Sequence, residues 1–242
     1  MNSNTLSSSL IFLDTRDRNH GTASNCKLLV SETETANSQK NVSIQDLQLL
    51  YSFYSINENN DTFLINSTPI VLNRGNYSSA QFLTELTAKL NASLVDVFTT
   101  SINPTTNQLI INGTIGGLSI TSNGKNNRYL GLPKNTVKLF VSNVFTSDYP
   151  IDLSGTRYIE IQTDLPISSI NSRDGNNNIL ARVYINCQPF EFIQYNSSSF
   201  QFIKLLTKKI NSIGLTLVDD NQDEINLNGH EYSITLEIQE YF

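Results

Sequence analysis

Hydrophobic and polar positions alternate with a period of two through much of the chain, which predicts half-buried β-strands. In SIQDLQLLYSFYSI (43–56), Leu47, Leu49, Tyr51 and Phe53 share one face, and Asp46, Gln48 and Ser52 share the other. In EYSITLEIQ (231–239), Tyr232, Ile234, Leu236 and Ile238 point inward, and Glu231, Ser233, Thr235 and Glu237 point out. Shorter apolar runs predict strands at 10–13, 26–31, 62–65 and 69–72, and a hairpin whose arms are 94–99 and 108–112. Others are predicted at 137–145, 157–163, 179–186 and 215–218. Asn, Asp and Gly clusters such as NENND (57–61) separate them and read as turns.

Two segments follow a helical period instead. Ser78 followed by Gln81 has the form of a capping box, and Phe82, Leu83, Leu86 and Leu90 line one face after it. QFLTELTAKLN (81–91) recurs as QFIKLLTKKIN (201–211), identical at six of eleven positions, so a second helix is predicted over about 200–212 with Phe202, Leu206 and Ile210 buried. The flanking sequences differ. The favoured reading is one local device used twice, a short helix packed over a sheet opening, with duplication of a strand–helix–hairpin unit as the alternative. Strands at this spacing with two short helices make a mainly β sandwich or barrel.

Composition adjusts this picture in a few places. With 242 residues the chain suits one large all-β domain or two small ones. Charged residues make up only 16%, so the surface carries mainly uncharged Asn, Ser and Thr. Weak charge repulsion favours a chain that assembles, though skewed codon usage yields the same composition. Net charge is −6 with no basic run, which argues against direct phosphate-mediated nucleic-acid binding. Two cysteines, Cys26 and Cys187, make no disulfide framework and fit a reducing compartment. The N-terminus has neither the charge nor the apolar run of a signal peptide, and no stretch is long enough for a membrane span. Residues 1–9 are Ser-rich and polar and read as a flexible arm.

Candidate chemistry is sparse. His20 and His230 stand beside turn glycines without metal-ligand or triad partners at usable spacing. Asp219, Asn221 and Asp223 imitate the start of a calcium loop, but Glu224 and His230 occupy the positions that need Gly and Glu; a polar hairpin turn is favoured over an irregular Ca²⁺ site. GTIGG and GNYSS lack the phosphate-loop pattern. Asp148, Asp152, Glu160 and Asp164 fall near strand ends, and the absence of Trp weakens a sugar-stacking site. The expectation is no enzyme, no cofactor and no metal.

Several stretches in order resemble one viral family. IFLDTRDRNHGTASNCKLLVS, with Leu13, Asp14, Arg16, Arg18, Ser24 and Asn25, looks like the opening of penton proteins, the vertex capsid proteins of adenovirus-like, virophage-like and polinton-like double-stranded DNA viruses. Cys26 stands where that family usually has an aromatic residue. Gly75, Asn76 and Tyr77 are similar to its Gly-Asn-Tyr element, Leu130-Gly131 to its Leu-Gly segment, and the C-terminal strands to its final pair. The resemblance implies a single jelly-roll β-sandwich over 10–242 with a helix-hairpin region inserted around 73–135, five copies at each icosahedral vertex, and assembly into the virion capsid inside the host cell. It implies contacts with neighbouring major capsid proteins, and with internal minor capsid proteins through the arm at 1–9, with Asn2, Ser3 and Asn4 as contact candidates. Asp14, Arg16, Asp17 and Arg18 are candidates for an intersubunit or turn-fixing charge cluster. Arg173-Asp174-Gly175 is not the RGD integrin motif of adenovirus pentons. The alternative function is a β-sandwich spike or adhesin module that binds a host surface ligand through its loops.

Overall fold

The computed structural model describes residues 5–31, 39–169, 175, 178–197 and 201–241. Asn2, Ser3, Asn4 and most of the polar loop at 171–178 lie outside the described residues. The chain forms two compact units: Met1–Phe53 with Thr156–Phe242, and Tyr54–Gly155 between them in sequence.

In chain order, the first unit begins with β1 (Thr5–Asp14), a 3₁₀ turn (Thr15–Asp17), β2 (His20–Gly21), β3 (Asn25–Leu29) and β4 (Gln39–Leu50). The second unit follows with β5 (Thr62–Ile65), β6 (Thr68–Val71), α1 (Ser79–Ser93), β7 (Thr99–Ile102), β8 (Gln108–Asn112), β9 (Ser119–Thr121), α2 (Asn127–Leu130), β10 (Val137–Leu139) and β11 (Val144–Pro150). The chain then completes the first unit with β12 (Tyr158–Thr163), β13 (Ile179–Tyr184), β14 (Phe192–Asn196), β15 (Ile203–Leu205), β16 (Ser212–Val218) and β17 (Tyr232–Tyr241).

The first unit is a jelly roll. One sheet runs β1-β17-β4-β14, with β15 also paired to β4; the other runs β13-β12-β16-β3-β2. Among the described residues every pairing is antiparallel; the chain crosses between the sheets from β3 to β4, from β13 to β14, from β15 to β16 and from β16 to β17, and the last strand, β17, lies between β1 and β4. The alternation read from sequence has its cause here: Leu47, Leu49, Ile234, Leu236 and Ile238 from one sheet meet Ile159, Ile161, Leu215 and Leu217 from the other in one core. Tyr232, Ile234, Leu236 and Ile238 are buried as their pattern predicts. β1 begins at Thr5, earlier than the apolar run suggested, because its Ser-rich half pairs along β17.

The second unit has its own core, built by two small sheets, β10-β9-β5-β6 and β11-β8-β7, and by α1. α1 forms where the sequence placed a helix. Ser78 caps it, with the reciprocal bonds to Gln81 in place, and Phe82, Leu86 and Leu90 are fully buried. Phe82 meets Tyr129 edge to face at 5.7 Å between ring centroids. The helix does not lead straight into a hairpin arm at 94–99. It ends at Ser93 with Leu94 extended as its C-cap, and the Asp96 carboxylate then ties down the loop that follows, accepting the backbone N–H groups of Val97 at 2.7 Å, Thr114 at 3.0 Å and Ile115 at 3.2 Å. The arm therefore starts at Thr99. The strand expected over 137–145 is likewise two strands, β10 and β11, because Ser142 and Asn143 take left-handed conformations and turn the chain.

The second predicted helix is a correction. The described part of 200–212 holds the short strand β15, which pairs Ile203 with Val42 and Leu205 with Lys40. The helical reading buries Leu206; the structure buries Leu205 and leaves Leu206 63% exposed. The free edge of β4 at Lys40–Val42 offers backbone partners that outweigh local helix propensity. The short helix α2 stands elsewhere, and it ends at Gly131 in a left-handed conformation (φ 61°, ψ 37°). A Cβ at Gly131 would lie 2.3 Å from the Tyr149 carbonyl oxygen, so the Leu-Gly pair is a packing requirement.

Candidate assembly surface

The charged corner after β1 is a fixed structure. Asp14 ends the strand and caps the 3₁₀ turn, accepting the Arg16 backbone N–H at 2.9 Å and the Arg16 Nε at 2.9 Å. These bonds from Arg16 hold the Asp14 carboxyl down at about 2. Arg18 donates from Nη1 to the Thr15 carbonyl at 2.7 Å and from Nε to the Gly21 carbonyl at 3.1 Å, which closes the turn onto β2. Its Nη1 also reaches both oxygens of Glu231 at 2.7 Å. Thr15, buried to 1% exposure, donates its hydroxyl to Glu231 at 2.6 Å and accepts the Tyr232 N–H at 3.0 Å. The Thr15 hydroxyl, and then Arg18, lower the Glu231 carboxyl against the opposing effect of burial.

Of the candidates read from sequence, Asp14 and Arg16 form one pair and Arg18 joins a second group, while Asp17 is exposed and makes none of these bonds. The cluster fixes a turn within one chain. Glu231 and Thr15 were not singled out. The signal for Glu231 is weak: it opens the clearest strand in the sequence, and antiparallel pairing of that strand with β1 (Asp14 opposite Ser233) brings it to this corner.

The outer faces of the central strands are polar and internally bonded. Glu237 on β17 accepts the Ser8 hydroxyl at 2.5 Å, the Gln239 amide at 2.9 Å and the Gln45 amide. Glu160 on β12 is fully buried beneath Arg182 (Nε at 3.1 Å) and Gln222 (Nε2 at 2.6 Å), and the Arg182 guanidinium lies 4.3 Å from the Tyr158 ring centroid. A shallow groove of about 400 Å³ beside β3 and β16 includes Lys27 and Asp164, which pair with each other at 3.1 Å. Asp219 spends one carboxylate oxygen on the N–H groups of Asn221 and Asp223 within its own turn. Among the described residues, no group of three or more His, Cys, Asp or Glu side chains is arranged to hold a metal ion. His20 and His230 are exposed.

The apolar surface is distributed differently. Among the described residues of the jelly-roll unit the exposed large apolar side chains are Leu10, Phe12, Leu29, Tyr184, Phe190, Phe192 and Leu206. None lies on the four central strands β4, β17, β12 and β16.

No family model matches the sequence, and no curated protein does. Among solved structures, the crystal structure of the selenomethionine-labelled mavirus penton protein matches with a TM-score of 0.51 at 12% identity, over 97% of this chain and 100% of that one. At that identity the likeness is one of fold, and it takes in both units: the chain has a penton-like fold, a jelly roll interrupted between β4 and β12 by a second compact unit.

Proposed function

We propose that the chain is a structural capsid protein that closes icosahedral vertices as a homopentamer, with no catalytic role. The observation that carries this reading is the end-to-end match to the mavirus penton protein, 97% of one chain against 100% of the other, with the inserted unit inside the matched length. A jelly roll by itself would carry little, since the fold serves many functions. The neighbouring partners in this reading are major capsid proteins around the vertex and, through residues 1–9, internal minor capsid proteins.

The test is the mass and shape of the purified protein, by light scattering and negative-stain class averages. Fivefold rings support the vertex reading. A trimer moves the assignment to a spike or a protein that glues neighbouring capsomers. A monomer that neither assembles with capsid partners nor changes with concentration, and that binds on a glycan array, replaces the vertex reading with the adhesin module.

A further inference from the structure

We infer that the inserted unit carries a membrane-contacting tip: three loops that present an uncharged aliphatic cluster to the interfacial layer of a lipid bilayer. The inference goes beyond the vertex reading and holds for a single chain as well as for a ring.

The loops are residues 94–98 after α1, 113–117 after β8, and 141–143 between β10 and β11. The Asp96 carboxylate ties the first to the second, accepting the N–H groups of Val97, Thr114 and Ile115 and the Thr114 hydroxyl. The third loop joins the second. Gly113 donates its N–H to the Asn143 carbonyl at 2.9 Å, and the Asn143 side chain donates to the Thr114 carbonyl at 3.4 Å. Ser142 and Asn143 turn the chain there in left-handed conformations, and Val141 and Val144 bond each other across the turn in both directions, at 2.8 and 3.0 Å. β11 then runs seven residues, roughly 23 Å, away from the tip and toward Gly155. Gly155 packs on Ser55, so the chain enters and leaves this unit at the end remote from the tip.

The large side chains these loops expose are aliphatic. Val95 is 102% exposed, Val141 73%, Val97 65% and Ile115 51%. Residues 91–98, 113–118 and 141–144 contain no Lys, Arg or Glu, and their one acid, Asp96, is 8% exposed. Single exposed apolar residues are ordinary, but four on three loops stitched together form a patch.

The chemistry of the patch selects lipid over protein. A Val at full exposure has nothing beside it, so it projects instead of lining a pocket. Four aliphatic anchors fall far short of the roughly 20–30 residues that each side of a standard protein interface supplies. The aromatic and Arg anchors that dominate such interfaces are absent from the exposed patch. A bilayer instead demands apolar side chains on backbone whose polar groups are already paired. The tip meets that demand, because the N–H groups of Val97, Gly113, Thr114, Ile115, Val141 and Val144 all have acceptors within the protein. With no cation on the loops and a net charge of −6 on the chain, the tip fits zwitterionic headgroups and draws nothing from anionic ones.

The experiment uses the full chain and sealed phosphatidylcholine vesicles, with binding read by flotation, oligomeric state by mass photometry and folding by circular dichroism. The wild type floats with the vesicles. It does so equally with phosphatidylserine added, and in about 1 M salt, where charge contacts are screened within about 3 Å. Val95→Asp and Ile115→Asp each raise the lipid concentration for half-binding by about tenfold and leave the melt in place. Leu29→Asp, on an exposed side chain of the jelly-roll unit, changes neither. The chain has no Trp, so Val97→Trp puts a single indole on the tip; its emission shifts to the blue with vesicles and is quenched by brominated acyl chains. A wild type that ignores vesicles, whether single or in rings, overturns the inference. Binding that needs phosphatidylserine and vanishes in salt overturns it too, as do tip variants that float like the wild type. If the wild type ignores vesicles but a purified neighbouring capsid protein retains it and releases Val95→Asp, the tip is a protein contact. Ring formation is read separately by mass photometry, so either reading can fail while the other stands.

Discussion

Glu231→Ala tests the corner that joins the first and last strands of the jelly roll. The carboxylate accepts one hydroxyl bond from buried Thr15 at 2.6 Å and a two-oxygen contact from Arg18 at 2.7 Å. Both members of the ion pair are a little over one quarter exposed, 28% and 29%, so solvent screens the pair and its share is at most about 1 kcal/mol. The Thr15 hydroxyl retains the Tyr232 carbonyl at 3.2 Å as a fallback acceptor, which limits the cost of losing its stronger one. Together these give a loss of about 1.5–2 kcal/mol, a drop in Tm of about 4–6 °C for a chain of this size. The assay is urea and thermal denaturation of the wild type, Glu231→Ala, Arg18→Met and the double variant, with a coupling of about 1 kcal/mol expected between the two sites. The pH dependence is a second readout. The folded Glu231 carboxyl is lowered from 4.5, so its stabilisation is fully present above the unfolded value and is lost as pH falls through the folded one. The gap between wild type and Glu231→Ala therefore narrows on acidification from neutrality to below about pH 4. A gap that is constant across that range, or a variant within about 0.3 kcal/mol of wild type at neutral pH, refutes the reasoning.

Phe82→Ala removes a fully buried ring from the core of the inserted unit and its edge contact with Tyr129, and costs about 3–5 kcal/mol in urea denaturation. Gly155→Ala places a Cβ 2.7 Å from the Ser55 Cβ at a backbone φ of 69°, and lowers stability by about 2 kcal/mol in the same assay. In thiol titration with a chromogenic disulfide, Cys187 reacts first and Cys26 at least about tenfold more slowly, since burial pushes both thiols up and leaves Cys26 only 4% exposed; equal rates in the folded protein overturn this.

The period-two pattern was legible wherever one strand face meets the apolar core and the other carries polar groups, as in β4 and β17, although Thr235 and Glu237 on the polar face of β17 are themselves buried. It could not give the order β1-β17-β4, because pairing between sequence-distant strands leaves no local trace. α1 was legible because capping box and apolar stripe agree. Its near copy at 201–211 misled because most of the same residues recur, yet Leu205 stands where α1 has Glu85. That one change lets Ile203 and Leu205 alternate as a strand, and β4 supplies the edge they join. At the charged corner, Asp14, Arg16 and Arg18 were legible as a cluster within a few residues of one another. Glu231 was not, because its place beside Arg18 depends on how the final strand pairs with the first.

Where the chain leaves and rejoins the jelly roll, Ser55 and Gly155 lie almost back to back. Among the described residues, the strands β5–β11 pair with one another, whereas β1 pairs with β17. On a growing chain, the inserted unit therefore has its whole core once residue 155 has emerged, while β1 and β4 still wait for the last strand to be made. An insert that folds first brings its two ends together, and so shortens the loop that the jelly roll must close from about a hundred residues to a few. A sequence change that slows the insert's folding would be felt as misfolding of the jelly roll, although no altered residue belongs to it.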